Sequence, residues 1–204
     1  MRRSYLVGIA GGTGSGKSWL AQYLARALRG RAAIISQDWY YRDRSSVAAR
    51  RSAALNFDHP RAFDYALLLR HLDALRDGDG IDAPQYDYRT HSRLAGTVRI
   101  EAAPVVLLEG ILVLHNPEVR RRLDHAVFVD VPADVRLVRR LRRDAEDRGL
   151  PVAETLRQYE QFARPMHERY VEGTARRAAE VWQALEDRRF PRRLADALKT
   201  RITK

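Results

Sequence analysis

The stretch "GGTGSGKS", Gly11 to Ser18, limits what this chain can fold into more than any other feature. Gly11, four residues, then Gly16-Lys17-Ser18 is the spacing of a phosphate-binding loop. The apolar run "YLVGIA" precedes it, and Leu20, Leu24, Ala27 and Leu28 follow at helical spacing, so the sequence reads strand, tight loop, helix. Glycines let successive backbone N–H groups turn inward around phosphate oxygens, and the helix adds the positive end of its dipole. Gly11, Gly12, Thr13, Gly14, Ser15 and Gly16 would form the cradle. Lys17 would reach the β- and γ-phosphates, and the Ser18 hydroxyl would meet Mg²⁺. Lysine usage supports this reading. Of 37 basic residues only Lys17, Lys199 and Lys204 are lysines, and the one ahead of the C-terminal tail stands where the loop needs it. The alternative, a flexible Gly/Ser turn, explains neither the flanking elements nor that lysine.

The same alternation continues. "AAIIS" (32–36), "PVVLLEG" (104–110) and "HAVFVDV" (125–131) are short apolar strands, and helical patterns lie between them, notably from Ala62 to Gly78 with Leu68, Leu72 and Leu75 in register. A short helix is expected around Ser46 to Ala54, ended by Pro60. Strands alternating with helices imply an α/β fold with a parallel sheet covered on both faces. Gly80 to Glu101 breaks the pattern and reads as an inserted hairpin. At 204 residues and 45% hydrophobic content, residues 1–204 are expected to form one domain with a real core. There are no cysteines, hence no disulfide or thiolate site, and no stretch reaches the ~20 apolar residues of a membrane span. A soluble, cytoplasmic chain without a membrane partner is the expectation. The net charge of +11 admits anionic partners. Without a helix-turn-helix or RNA-binding motif, nucleic acid is not expected among them, and much of the charge reads as a solvated arginine-rich surface.

Ligands of such sheets bind beyond the carboxyl ends of the strands, where this sequence carries "GGTGSGKS", "SQD", "EG" and "DVPAD". Asp38 could accept the proton of an attacking hydroxyl and sit near Mg²⁺, or cap a helix. Glu109 could support the metal, or form a salt bridge at its strand end. "RLVRRLRRD" predicts a helix with Val138, Leu141 and Ala145 inward and Arg136, Arg140 and Arg143 sharing another face. Such guanidinium groups suit the charge on a transferring phosphoryl group, although a solvated face is the commoner use of a charged stripe. No guanine-reading "NKxD" tetrapeptide accompanies the loop.

Taken in order, "GIAGGTGSGKS", "SQDWYYRD", "NFDHPRAFD", "PQYDYRTHSR", "LLEGILVL", "FVDVPADVRLVRRLRRDAEDRG" and "QYEQFARPMHERYVE" resemble the uridine kinase (uridine–cytidine kinase) family over about residues 5 to 172. The resemblance implies a three-layer P-loop kinase fold with a parallel sheet, an inserted β-hairpin (about 80–103) and a helical lid (about 136–160). It implies transfer of the γ-phosphate of ATP (or GTP), with Mg²⁺, to the 5'-hydroxyl of uridine or cytidine, a small-molecule nucleoside acceptor. It also implies site residues. Asp38 matches the catalytic aspartate, with Lys17, Arg140 and Arg143 beside it; Ser18, Asp38 and Glu109 would serve the metal. Tyr41, Phe57, Asp58, Tyr86, Tyr88, His91 and Gln158 match positions around the nucleoside, where aromatic faces stack on a pyrimidine and Asp58 reads the ribose hydroxyls. From the residues alone the aromatics also fit a small core beneath the hairpin, and Asp58 a helix cap. Homo-oligomers occur in the family.

The sequence departs from the family in three places. Leu150 stands where an arginine is usual; "GTARRAAEVWQALEDRRF" reads as helical where the family has a short apolar strand; and the tail from about 174 to 204 is unfamiliar. Related acceptors therefore stay in view, a sugar phosphate (phosphoribulokinase-like) or pantothenate, as do a nucleic-acid-stimulated P-loop ATPase and a nucleotide-binding regulator without turnover.

Overall fold

The computed structural model describes residues 3–43, 56–87, 90 and 92–203. Five parallel strands form the main sheet: β1 (Tyr5–Gly11), β2 (Ala32–Ser36), β5 (Val105–Glu109), β6 (His125–Asp130) and β7 (Glu180–Gln183), in the order β2-β5-β1-β6-β7. Between them, β3 (Ile81–Asp87) and β4 (Ser92–Ile100) pair antiparallel as a separate hairpin. The expected helix around Ser46 to Ala54 lies outside the described residues.

Strand periodicity explains the layers. Leu6, Val106 and Leu108 join the core on one face of the sheet, whereas Val7, Ile9, Val105 and Leu107 join the core on the other. Successive side chains point to opposite faces, so strands buried on both sides must be apolar throughout. Helix α1 (Lys17–Ala27) covers the second face with Leu20, Ala21 and Leu24. Helix α2 (Tyr65–Asp77) covers the first with Leu68, Leu72 and Leu75, the stripe read from sequence. Asp64 accepts a hydrogen bond from Leu67 N at its start, and Gly78, at φ 97°, ends it. Further helices among the described residues are α3 (Pro117–Arg121), α4 (Ala133–Arg148), α5 (Val152–Gln158) and α6 (Phe190–Thr203). Beyond α5 the helical path continues through π turns at Tyr159–Ala163 and His167–Val171.

Two expectations fail. The segment after residue 174 is not uniformly helical: Glu180–Gln183 is a strand, parallel to β6, and completes the sheet edge. Its Ala, Glu and Arg content favours helix, but β6 offers an unpaired edge, and Trp182 gains a buried place stacked on Phe190 (centroids 5.5 Å apart, planes at 10°). Propensity is a weak prior against that packing. A strand therefore stands where the sequence reads as helix, and α6 packs on the same face as α1.

The second failure concerns α4. Val138 is 47% exposed and Ala145 is exposed, while Arg136, Arg140 and Asp144 are the buried residues. An amphipathic reading places the apolar stripe inward only when the helix covers an apolar core. Here α4 lies over the phosphate loop, so its charged stripe is the inner one. Arg136, Arg140 and Arg143 do share a face, as expected.

Candidate active site

The order β2-β5-β1-β6 reverses direction at β1, since the chain runs first to β2 and later inserts β5 beside β1. The crevice at the carboxyl ends of β1 and β5 is the natural ligand position of such a sheet. The phosphate loop follows β1 there, and Glu109 ends β5. Register brings their neighbours level: Glu109 lies opposite Ile9 on one side and Ser36 on the other. Ser36 Oγ donates to Glu109 Oε1 (2.9 Å) and Ser18 Oγ to Oε2 (3.1 Å).

The loop's shape depends on glycine. Gly14 has φ 77°, and a Cβ there would run into the backbone carbonyl of Arg136. At Gly12 a Cβ would lie 2.5 Å from Arg136 Nη1 and 3.0 Å from His167 Cε1. The loop is thus pressed between β1 and the overlying α4, which the Arg136 Nε–Val131 O hydrogen bond (3.0 Å) anchors. Gly16, left-handed at φ 97°, precedes α1 and presents the first N–H groups of that helix.

A cavity of about 350 Å³ opens at this point, lined by Lys17, Ser18, Asp38, Tyr86, Asp87, Glu109, Arg143, Asp147 and Arg148. Asp38 sits in the 3₁₀ turn Gln37–Tyr40 just past β2, whose N-cap is Ser36, so Asp38 is not a cap. Asp58 is not one either, since His59 caps the next turn and Asp64 caps α2. Burial pushes Glu109 above the usual carboxylate range, with Lys17 opposing and Asp38 reinforcing the shift. Burial pulls Lys17 down, against Glu109 and Asp38. Burial also raises Asp58, opposed first by Arg140. Shifts of opposite sign packed into one cleft mark a place built for charge from elsewhere. Ser18 Oγ with the carboxylates of Glu109 and Asp38 offers hard oxygen donors few enough to suit Mg²⁺, which keeps water and phosphate oxygens in its shell.

Most sequence-predicted residues converge. Lys17, Ser18, Asp38, Tyr86, Glu109 and Arg143 line the cavity, while Asp58 and Arg140 act on one another beside it. Tyr41 gathers Phe57 (5.6 Å between ring centroids), Phe63 (4.4 Å) and Tyr86 (4.9 Å), an aromatic cluster that is part of the core and ends at the cleft through Tyr86. Gln158 is not among the lining residues; its amide donates to Glu154 (2.8 Å). Tyr88 and His91 lie outside the described residues. Sequence reading missed Asp87, Asp147, Arg148 and Asp144. The last two continue the stripe of Arg136 and Arg140 at four-residue steps, a signal that was there to be read. Leu150 is followed by α5, but two residues earlier Arg148 supplies the cleft with a guanidinium.

A family model described as "Phosphoribulokinase / Uridine kinase family" matches residues 6–190. The chain belongs to this family. The uridine kinase of Chloroflexus aurantiacus is 48% identical over 174 residues, covering 85% of this chain and 83% of the relative. That of Clostridium botulinum is 44% identical over 179 residues, 87% of either chain. A solved structure from Bacillus stearothermophilus, described as a possible uridine kinase, superposes with a TM-score of 0.65 over 90% of either chain at 18% identity, a likeness of fold. The family is one of kinases.

Proposed function

We propose that this chain transfers the γ-phosphoryl group of ATP to the 5'-hydroxyl of uridine or cytidine. The observation that carries the reading is the convergence of Lys17, Ser18, Asp38, Glu109 and Arg143 on one cavity that borders the aromatic cluster of Tyr41, Phe57 and Tyr86. The loop from Gly11 to Gly16 binds the phosphates through backbone N–H groups, and Lys17 carries charge to the β- and γ-oxygens. Ser18, Asp38 and Glu109 would hold Mg²⁺, which would supply positive charge against the phosphates. Asp38 accepts the proton of the nucleoside hydroxyl as its oxygen bonds to phosphorus and ADP leaves with the electrons of the broken bond. Arg140 and Arg143 on α4 stabilise charge on the transferring group and, with the rest of the lid, exclude water that would otherwise hydrolyse ATP. The aromatic cluster receives the base, a role the resemblance also implies for Tyr88 and His91, and Asp58 receives the ribose side.

The deciding experiment measures ADP release with MgATP and uridine, cytidine, their deoxy forms, ribulose 5-phosphate, pantothenate or no acceptor. Stimulation by uridine or cytidine, with the 5'-monophosphate as product, is the expected result. Turnover of ribulose 5-phosphate or pantothenate in place of nucleosides, or hydrolysis indifferent to acceptor, would overturn it.

A further inference from the structure

The inner face of α4 places one carboxylate among several guanidinium groups. Asp144 has no exposed surface. Its Oδ2 accepts from Arg140 Nε at 3.2 Å, and its Oδ1 accepts from Arg143 Nε at 3.0 Å and Nη2 at 2.8 Å. Arg148 Nη1 approaches Oδ1 to 3.3 Å from one turn further on. Two of the three arginines, Arg143 and Arg148, line the cleft beside Lys17, and Arg140 acts on Asp58 beside it. Left to themselves, like charges on successive turns repel and swing toward water. A buried carboxylate bound to three of them fixes their side-chain angles instead.

We propose that Asp144 is the positioning residue of the lid, bracing Arg148 on one side and holding Arg140 and Arg143 in the geometry from which they meet the transferring phosphoryl group. It touches no reacting atom. Its contribution is preorganisation: the guanidinium groups are already placed when charge develops, so they need not reorganise during the reaction. The arrangement also limits how much positive charge the cleft carries before substrates enter, because one negative charge is shared by three positive ones.

This inference rests on the reading of Arg140 and Arg143 as phosphate-facing, and the test separates the two. Asp144→Asn, Arg143→Ala and the double variant are compared with wild type in steady-state assays with MgATP and uridine, and their folding is checked by urea unfolding. Asp144→Asn is expected to lower kcat about 100-fold, the scale on which small misplacements act, while KM for either substrate moves by less than about threefold. In the Arg143→Ala background the same change should cost much less, because groups acting as a unit are not additive. Added guanidinium ion at sub-denaturing concentration should partly restore Arg143→Ala and fail to restore the double variant. A merely structural role would move the urea midpoint but not produce this non-additivity or this rescue pattern. An impaired Arg143→Ala enzyme beside an unimpaired Asp144→Asn enzyme would overturn the proposal, as would full additivity. An unimpaired Arg143→Ala enzyme would overturn the underlying reading of the lid arginines, and the proposal with it. If Asp144→Asn does not fold, Asp144→Glu, which keeps the charge but displaces it by one methylene, takes its place; a wild-type kcat in that variant would refute positioning.

Discussion

In Glu109→Gln the carboxylate at the end of β5 becomes an amide of nearly the same shape, still within reach of Ser36 and Ser18. Two hydroxyl bonds change from charge-assisted to neutral, a loss of about 1 kcal/mol each. Against this, the variant no longer carries a carboxylate in a buried site, which costs several kcal/mol per ion in real proteins. Lys17 loses its main opposite charge, but burial already pulls its pKa down, and each further unit costs at most about 1.4 kcal/mol before it sheds its proton. The terms nearly cancel, so the variant should lie within about 2 kcal/mol of wild type. The pH dependence has a definite sign. The folded pKa of Glu109 lies above its ordinary value of 4.5, so its burial costs nothing below that pH and more as pH rises toward the folded value. The variant should therefore gain on wild type as pH rises above 4.5, read as the difference in urea unfolding free energy. Phosphotransfer, by contrast, should fall by about 10²-fold or more in kcat, as for loss of a preorganised electrostatic group. A variant destabilised by about 3–5 kcal/mol at pH 8, the signature of a broken buried ion pair, would show that Glu109 serves the fold and would refute the argument.

Other perturbations separate the parts of the molecule. Lys17→Ala should lower kcat/KM by about 10³-fold for every acceptor alike, because the lysine acts on the donor phosphates; an effect confined to one acceptor would contradict this. Trp182→Ala removes a buried ring stacked on both Trp19 and Phe190 and should cost about 3–5 kcal/mol in urea unfolding. His167, pressed against Gly12, has its pKa pulled down to about 4 by burial and by Arg136. Its neutral form favours folding above pH 6.5, and that stability is lost as pH falls toward 4. About 2–3 kcal/mol is expected after allowing for solvent screening, and His167→Gln should flatten this part of the acid limb.

The phosphate loop, the sheet and the hairpin were legible because each has a short-range signal: glycine spacing, strand-length apolar runs, a change of period. Asp38 and Glu109 were legible as strand-end acids, but nothing in the sequence says that Ser36 and Glu109 share a register, since pairing between β2 and β5 spans some seventy residues. The inward face of α4 was misread because the apolar-inward rule assumes an apolar neighbour. Arg136, Arg140 and Asp144 are buried against a polar loop and against one another. Strand β7 was misread because its local preference is helical, and only the open edge of β6, invisible from residues 174–190, makes a strand the better state.

That last strand has a consequence for the order of synthesis. The phosphate loop and α1 leave the ribosome early, yet the face that α1 covers is finished by Trp182, Phe190, Leu194 and Leu198, which emerge among the last of the described residues. At about 5–20 residues per second, the nascent chain spends roughly ten to thirty-five seconds with α1 made and its α6 neighbour still missing, and roughly three to ten of these with the β6 edge unpaired. A chain cut short before Glu180 would keep every residue of the candidate site and the strands β1, β2 and β5 beneath its phosphate-binding helix, yet leave the other side of that helix without the residues that cover it.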